Sequence, residues 1–413
     1  MKIDPNYEST VLIVVPIHSK EKIKMKVAQI APGYIEVPPL RGGAVEKHII
    51  YLSEELKRLG LKVDIYARMG KNKQNKLKNT IYLSPPIKKS FLPIKIIDTF
   101  RYTFNLVKRL HHKKYDIIHL HGGIAGLIQS ILIRKGRDKL VLTIHNPLIF
   151  SPNPIKRGLA TLMELISASK ADAIITVSKT MKELFKRKLK DKIVEYIPNG
   201  VHIRSNVEIN QNYAKLALGL KGKKVILFVG RMALEKGIHI LISALNQIIH
   251  QYRQHDVRLV LVGPPGKTFG GRPSKYYKFV MNLIRKYNLN NFVIYLGNVS
   301  EKTLRLTYVA CDIFVLPSIS DAMPMTLLEA MAHGKPVIST WVGGIPDFIE
   351  HSKTGILVPP NDPSTLANAI QNILTKKTLA ETFSRNAVTE IEEKYSWKKV
   401  AIKIYKLYST LTK

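Results

Sequence analysis

Asp321 and Glu329 stand eight residues apart in the stretch SDAMPMTLLEAMAHGKPVIST, residues 320–340, with no other charge between them. A strand-like run, IFVLPS, precedes them. Pro324 suits the first turn of a helix, and Leu327, Leu328 and Met331 give that helix an apolar face. Gly334 ends it and Pro336 keeps it ended. The free amides near Met325 and Thr326 are then a helix N-terminus, a place that attracts phosphate. A glycosidase pair fits poorly. Eight helical residues rise about 12 Å, whereas catalytic carboxylate pairs stand about 5–9.5 Å apart. Two acids binding different hydroxyls of one extended ligand fit better, because a carboxylate can accept both hydrogen bonds of a vicinal diol such as that of ribose. The purely structural alternative is an N-cap aspartate and a helix-surface glutamate.

Three other stretches carry candidate chemistry. In VGRMALEKG, 229–237, Arg231 and Lys236 follow a strand within one loop or helix turn. Two fixed cations beside a helix N-terminus can neutralise a diphosphate without a metal, although 65 lysines and arginines make paired surface cations common here. In PPLRGGAVEKH, Gly42 and Gly43 open a helix and let the backbone approach a bound group, or simply make a tight turn. Their spacing matches neither a dinucleotide GxGxxG nor a GxxxxGK[ST] phosphate loop. His145 ends the strand in LTIHNP, with His119 and His121 of DIIHLHGG competing for any role. No HExxH, CxxC or clustered acid set calls for a metal, so no metal or cofactor is expected.

These residues need a frame. From Met25 the chain alternates strand and helix: KVAQIAP, LKVDIYA, YDIIHLHG, LVLTIHN and AIITVS are Val/Ile-rich runs separated by helical patterns. A second series, KVILFVG, RLVLVGP, NFVIYLG, IFVLPS and KPVIST, follows VEYIPNGV. Uninterrupted apolar strands alternating with helices indicate parallel sheets covered on both faces. The fold class is therefore α/β, with two Rossmann-like doubly wound domains facing a cleft. Ligands in such sheets bind beyond the carboxyl ends of the strands, where these motifs fall. The expected division is an N-terminal extension over 1–24, an acceptor-side domain over 25–205, a donor-side domain over 206–390 and a C-terminal helix over 391–413 that packs back on the first domain.

Composition adds a charge problem. The chain has a formal charge of +35; residues 1–200 hold 37 Lys and Arg against 16 Asp and Glu, and both halves are basic. Such a field favours anionic partners: nucleic acid, an acidic membrane or phosphate-bearing substrates. No nucleic-acid motif accompanies it, so nucleic acid is the weakest of the three. The single cysteine, Cys311, excludes an intramolecular disulfide and lies in an apolar strand pattern as an inert thiol. A reducing cytoplasm fits. No run approaches the ~20 apolar residues of a membrane-spanning helix, and VLIVVPIH within residues 1–24 is too short for a signal peptide.

Read together, GGAVE at 42–46, TIHNP at 143–147, ITVSKTMKELF at 175–185, IPNGV at 197–201, GRMALEKG at 230–237, LGNVS at 296–300, DAMPMTLLEAMAHGKPVIS at 321–339 and GGIPDFIE at 343–350 resemble the retaining glycosyltransferases of family 4, which have the two-domain GT-B fold. The resemblance runs from about residue 25 to residue 410 and rests on the order and spacing of the motifs. It implies that Arg231 and Lys236 hold a donor diphosphate and that Glu329 binds the nucleotide ribose. Asp321 would touch the transferred sugar, with the turn at Pro324 and amides near Met323, Met325 and Thr326 holding sugar and phosphate. Asn298 and Val299 would meet the base, Gly42 and Gly43 would approach the phosphates from the other domain, and His145 would contact the donor sugar as a catalytic residue. Three positions depart from the family pattern: Asp321 replaces a usual Glu, Ala322 a frequent Gly, and His202 a common Asp.

The function so implied is retaining, metal-independent transfer of a hexose-type sugar from a nucleotide diphosphate sugar to a hydroxyl of a glycan, glycolipid or lipid-linked precursor. A nucleotide-sugar epimerase or hydrolase of the same architecture, or a non-catalytic sugar-binding or surface-structural protein, is the alternative. The basic amphipathic patterns TFRYTFNLVKRLHHKK and TMKELFKRKLK suit peripheral contact with an anionic membrane at its inner face, or are solvated faces.

Overall fold

The computed structural model describes residues 25–39, 43–69, 77, 79–84, 92–133, 138–145, 147–151, 153–203, 209–266 and 274–413. The extension over 1–24 and Gly42 lie outside the described residues.

The first sheet has seven parallel strands: β1 (Lys26–Ile30), β2 (Lys62–Arg68), β3 (Thr80–Ser84), β4 (Ile117–His121), β5 (Lys139–Ile144), β6 (Ala173–Thr176) and β7 (Ile193–Tyr196), in the order β3-β2-β1-β4-β5-β6-β7. The second has six: β8 (Lys224–Val229), β9 (Val257–Val262), β10 (Val293–Gly297), β11 (Ile313–Leu316), β12 (Val337–Thr340) and β13 (Ile356–Val358), in the order β10-β9-β8-β11-β12-β13. Each order reverses once, between β1 and β4 and between β8 and β11. That is the doubly wound arrangement, with its ligand crevice at the reversal. The two Rossmann-like units expected from the strand–helix alternation are present. Strands β3, β7 and β13 are additional, and each lies at a sheet edge.

Helices α1 (Ala44–Arg58), α2 (Leu92–His111), α3 (Ile124–Leu132), α4 (Pro154–Lys170) and α5 (Lys179–Lys188) cover the first sheet. In the second unit follow α6 (Gln211–Ala217), α7 (Ile238–His250), α8 (Lys275–Lys286), α9 (Glu301–Ala310), α10 (Met325–Ala332), α11 (Pro363–Thr375), α12 (Lys377–Glu390) and, after a single π turn at Ile391–Tyr395, α13 (Trp397–Thr412). The α13 helix packs back on the first domain. Its Trp397, Val400, Ile404 and Tyr408 are buried with Leu52 and Leu56 of α1 and with Val27, Ile117 and Val141 of the sheet. Cys311 is fully buried, and burial pushes its thiol up to about 12, so it stays an uncharged thiol.

Helix α1 opens at Gly43, which holds a left-handed backbone (φ 76°). Glu46 sits in its first turn, buried against that glycine. Burial raises the Glu46 carboxyl from 4.5 to about 7, opposed by a backbone hydrogen bond. The folded chain therefore holds this proton more tightly than the unfolded chain. The resulting stability is fully present below pH 4.5 and is lost as pH rises through about 7. The shift corresponds to about 3 kcal/mol. Glu46→Gln is expected to raise stability in urea by up to that amount at pH 8.5 and to match the wild type at pH 4.5. A variant less stable than wild type at pH 8.5 contradicts this assignment.

Candidate functional site

The second sheet's reversal point is built by two loops. One runs from the end of β8 to α7 and carries Arg231 and Lys236. The other runs from β11 to α10 and carries Asp321. Their main chains are joined: the Glu235 carbonyl accepts from the amides of Ile319 (2.8 Å) and Ser320 (3.3 Å). Gly237 closes the first loop in a left-handed conformation (φ 65°), and a Cβ there would stand 1.9 Å from the Pro317 carbonyl oxygen. Only glycine allows the two loops to come this close.

Across that join Lys236 donates its ammonium to Asp321 Oδ2, and the Ser318 hydroxyl donates to the same oxygen at 3.3 Å. Both members of the pair are largely buried. Asp321 thus does not cap α10, and Lys236 is not a solvated surface cation. Arg231 is different: it is exposed and pairs with Glu235 at 2.9 Å on its own loop. The GGIPDFIE segment supports Asp321 from behind. Gly343 lies so near that a Cβ would meet the Asp321 carbonyl oxygen at 1.7 Å, and Gly344 N–H donates to that oxygen at 3.3 Å.

Pro324 stands one residue before the first turn, as the N-cap of α10, and makes no side-chain capping bond. The first amides of any helix lack intrahelical acceptors, and those of Met325 and Thr326 open α10 four and five residues after Asp321. Leu327, Leu328 and Met331 are fully buried, as their spacing predicts. Glu329 is half-buried in the same helix and accepts from the Tyr308 hydroxyl at 2.8 Å. A cavity beside it, between the two domains, is lined by Tyr51, His202, Tyr308, Met325, Glu329 and Trp397. Asn298 and Val299 lie on the short loop between β10 and α9, and Glu301, at the start of α9, lines the same cavity.

The first domain contributes Gly43 and His145. His145 does not stand alone. His121 Nδ1 and His145 Nε2 are 3.0 Å apart, and His48 packs edge-on against both rings. Hydrogen-bond roles follow from Gln29. Its Nε2 donates to the Tyr408 hydroxyl (3.1 Å) and its Oε1 accepts from His121 Nε2 (2.9 Å). A neutral His121 protonated at Nε2 offers Nδ1 as an acceptor, so His145 Nε2 donates into it. His48 Nδ1 donates to Asn199 Oδ1 (3.0 Å), and Asn199 Nδ2 donates to the Met323 carbonyl (3.1 Å). Asn199 therefore ties the histidines of one domain to the Asp321 loop of the other.

Burial lowers His48 to about 4, His119 to about 3, and His121 and His145 well below the ordinary value; neighbouring histidines add to it for the last three. All four are neutral at physiological pH. His145 can take part in a neutral hydrogen bond but is no proton store. One nitrogen each from His48, His121 and His145 lies within 4.8 Å of the others, the spacing of a possible metal-ligand set. His121 Nδ1 and His145 Nε2 are hydrogen-bonded to each other, so a cation taking those two nitrogens would have to displace the proton between them.

Sequence reasoning reached Arg231, Lys236, Asp321, Glu329 and the α10 segment, which the fold brings to one crevice, and His145 and Gly43 opposite them. It missed His48, Gln29, Asn199 and Tyr408. Only the alternation of His119 and His121, which puts both on one face of β4, signalled a network there.

Comparison with known proteins agrees with this architecture. The family described as Glycosyltransferase Family 4 matches residues 41–205, and the family described as Glycosyl transferases group 1 matches residues 214–389. An uncharacterized glycosyltransferase of Methanocaldococcus jannaschii is 31% identical over 71% of this chain and 76% of its own length. A D-inositol 3-phosphate glycosyltransferase of Corynebacterium urealyticum is 26% identical over 89% of this chain and 91% of its own. Among solved structures, sucrose-phosphate synthase from Thermosynechococcus elongatus superposes with a TM-score of 0.79 at 25% identity, covering 94% of this chain and 99% of that one. Anabaena HepE, in complex with UDP-glucose, superposes with a TM-score of 0.73 at 21% identity, over 94% of this chain and all of that one. The chain belongs to the group 1, family 4 glycosyltransferases: it is a sugar-transferring enzyme with the GT-B fold.

Proposed function

We propose that this enzyme is a retaining, metal-independent glycosyltransferase that takes a hexose-type sugar from a nucleotide diphosphate donor. The Lys236–Asp321 pair beside the side-chain-uncapped start of α10 carries the reading. It sets a cation, a carboxylate and main-chain amides at one point of a crevice. A sugar diphosphate needs that set: positive charge for the diphosphate and an acceptor for a sugar hydroxyl. The UDP and UDP-glucose bound by Anabaena HepE support a donor of this class.

On donor binding Lys236 turns from Asp321 to the diphosphate, with Arg231 joining it from the rim, and Asp321 accepts from a hydroxyl of the sugar. Glu329 accepts from the ribose, Asn298 and Val299 meet the base, Gly43 lets the first domain close on the phosphates, and His145 contacts the sugar. The bond from the anomeric carbon to the phosphate oxygen then breaks, and its electron pair goes to that oxygen. Lys236, Arg231 and the amides near Met323, Met325 and Thr326 stabilise the charge that develops. The acceptor hydroxyl oxygen bonds to the anomeric carbon from the face the phosphate leaves, so configuration is kept, and its proton passes to the departing phosphate. No protein nucleophile is needed. The acceptor is a hydroxyl of a glycan, glycolipid or lipid-linked precursor bound on the first domain.

A thermal-shift panel of uridine, guanosine and adenosine diphosphate sugars, run with EDTA, tests the donor class. One base is expected to raise Tm with the chelator present, because ligand that binds only the folded state stabilises it. Absence of a shift from every donor counts against the reading.

Lys236→Ala is expected to lower the transfer rate at least tenfold, which is about 1.4 kcal/mol of transition-state stabilisation. A variant with wild-type turnover removes Lys236 from the chemistry.

A further inference from the structure

Helix α4 is amphipathic in the wrong sense for a soluble surface. The residues it buries are small or polar, Ala160, Glu164, Ser167 and Ala168, with Leu165 adding one partly buried aliphatic side chain against the core. The residues it turns outward are large and aliphatic: Ile155 is 80% exposed, Leu159 59%, Leu162 55% and Ile166 40%. Their spacing of three or four residues makes one stripe along the helix. The pattern continues sideways. Helix α3 packs on α4 and exposes Ile131 and Leu132 at its C-terminal end; α2 packs on α3 and exposes Phe100 and Phe104, the latter 69%. An apolar surface shared by three neighbouring helices exceeds the scattered single residues normal on a soluble protein.

Its charge is one-sided. Lys156, Arg157, Arg101, Lys108 and Arg109 are exposed on α4 and α2. Among the described side chains of these helices the acids are Asp98, half-buried, and Glu164, fully buried and accepting from the Gly123 amide at 2.9 Å. Aliphatic side chains bordered by cations with no exposed acid are the composition of a surface that lies in the head-group layer of an anionic bilayer. A second copy of the chain is a poorer occupant. A two-fold contact would set this face against itself and bring like charges together. The strongly basic helix α5 has the cations Lys186, Arg187 and Lys188 exposed but buries Met181 and Phe185, so it lacks the apolar half of the pattern.

Position also fits. Helices in a parallel α/β layer begin near the carboxyl ends of the strands, which is the crevice side. Ile155, in the first turn of α4, is therefore at the crevice edge of the stripe. None of the described helices is long and apolar enough to cross a membrane, so contact through this face is peripheral.

We infer that the outer face of α2, α3 and α4 docks the enzyme on an anionic lipid bilayer by inserting the α4 aliphatic stripe between head groups. This rests on the transferase reading only in placing the acceptor side of the crevice at that membrane.

Flotation of the full chain with phosphatidylcholine vesicles, with and without phosphatidylglycerol, tests it. Wild type is expected to bind the acidic vesicles at least tenfold better than the neutral ones. The double variant Leu159→Glu, Leu162→Glu is expected to lose at least tenfold of that binding while keeping the donor-induced thermal shift. Lys156→Ala with Arg157→Ala is expected to weaken binding and flatten its dependence on salt. The inference is overturned if wild type leaves both vesicle types alike. It is also overturned if the double glutamate variant floats like wild type, or if light scattering shows an oligomer that this variant dissociates, which would make the face a contact between copies. Vesicle binding without any donor-induced shift would support the docking face and count against the transferase donor instead.

Discussion

The crevice depends on two backbones meeting at the strand-order reversal of the second sheet. The Glu235 carbonyl holds the amides of Ile319 and Ser320, and Lys236 and Asp321 close the same junction with opposite charges. The loops that carry Arg231, Lys236 and Asp321 meet at this join. Gly237 permits it, Gly343 backs it, and α10 starts four residues beyond Asp321. A buried ion pair is weak evidence for stability, because desolvation consumes much of the attraction. Its meaning here is positional. It sets a largely buried ammonium and a carboxylate at one point of the strand-order reversal, and the proposed donor site is built on that juxtaposition.

The opposite wall works by hydrogen bonds between neutral groups. Burial strips the charge from His48, His119, His121 and His145, and Gln29 fixes which nitrogen carries each proton along the path from Tyr408 to His145. Tyr408 belongs to α13, the helix that returns from the second domain. The end of the chain therefore orders a histidine at the mouth of the first sheet, and Asn199 connects that group to Met323. Fold closure and site geometry are parts of one network.

Legibility in the sequence followed burial. Central strands such as KVILFV and IFVL are covered on both faces and appear as unbroken apolar runs. The edge strands TIYLS and IVEY are half-exposed and mixed in polarity, and ILV has only three residues, so none stands out. The residues of the α10 segment were legible because one short stretch carries its own strand end, turn, helix and stop. The partnership of Lys236 with Asp321 was not, since 85 residues separate them and only the fold brings them together. The histidine network needed contacts from α1, β1, β4, β5 and α13 at once. In α4 the inward side is marked by Ala160, Ala168 and the buried Glu164, not by the large aliphatic residues, so hydrophobic spacing alone does not give its orientation.

The central claim is that fixed cations and helix amides, with no metal, hold the diphosphate. Its most direct test compares the affinity of the preferred nucleoside diphosphate with that of its monophosphate by calorimetry in EDTA, for wild type and Lys236→Met. The account predicts that wild type binds the diphosphate at least tenfold more tightly and that the variant loses most of this preference. Equal affinities in wild type, or a preference that appears only when magnesium is added, would contradict it.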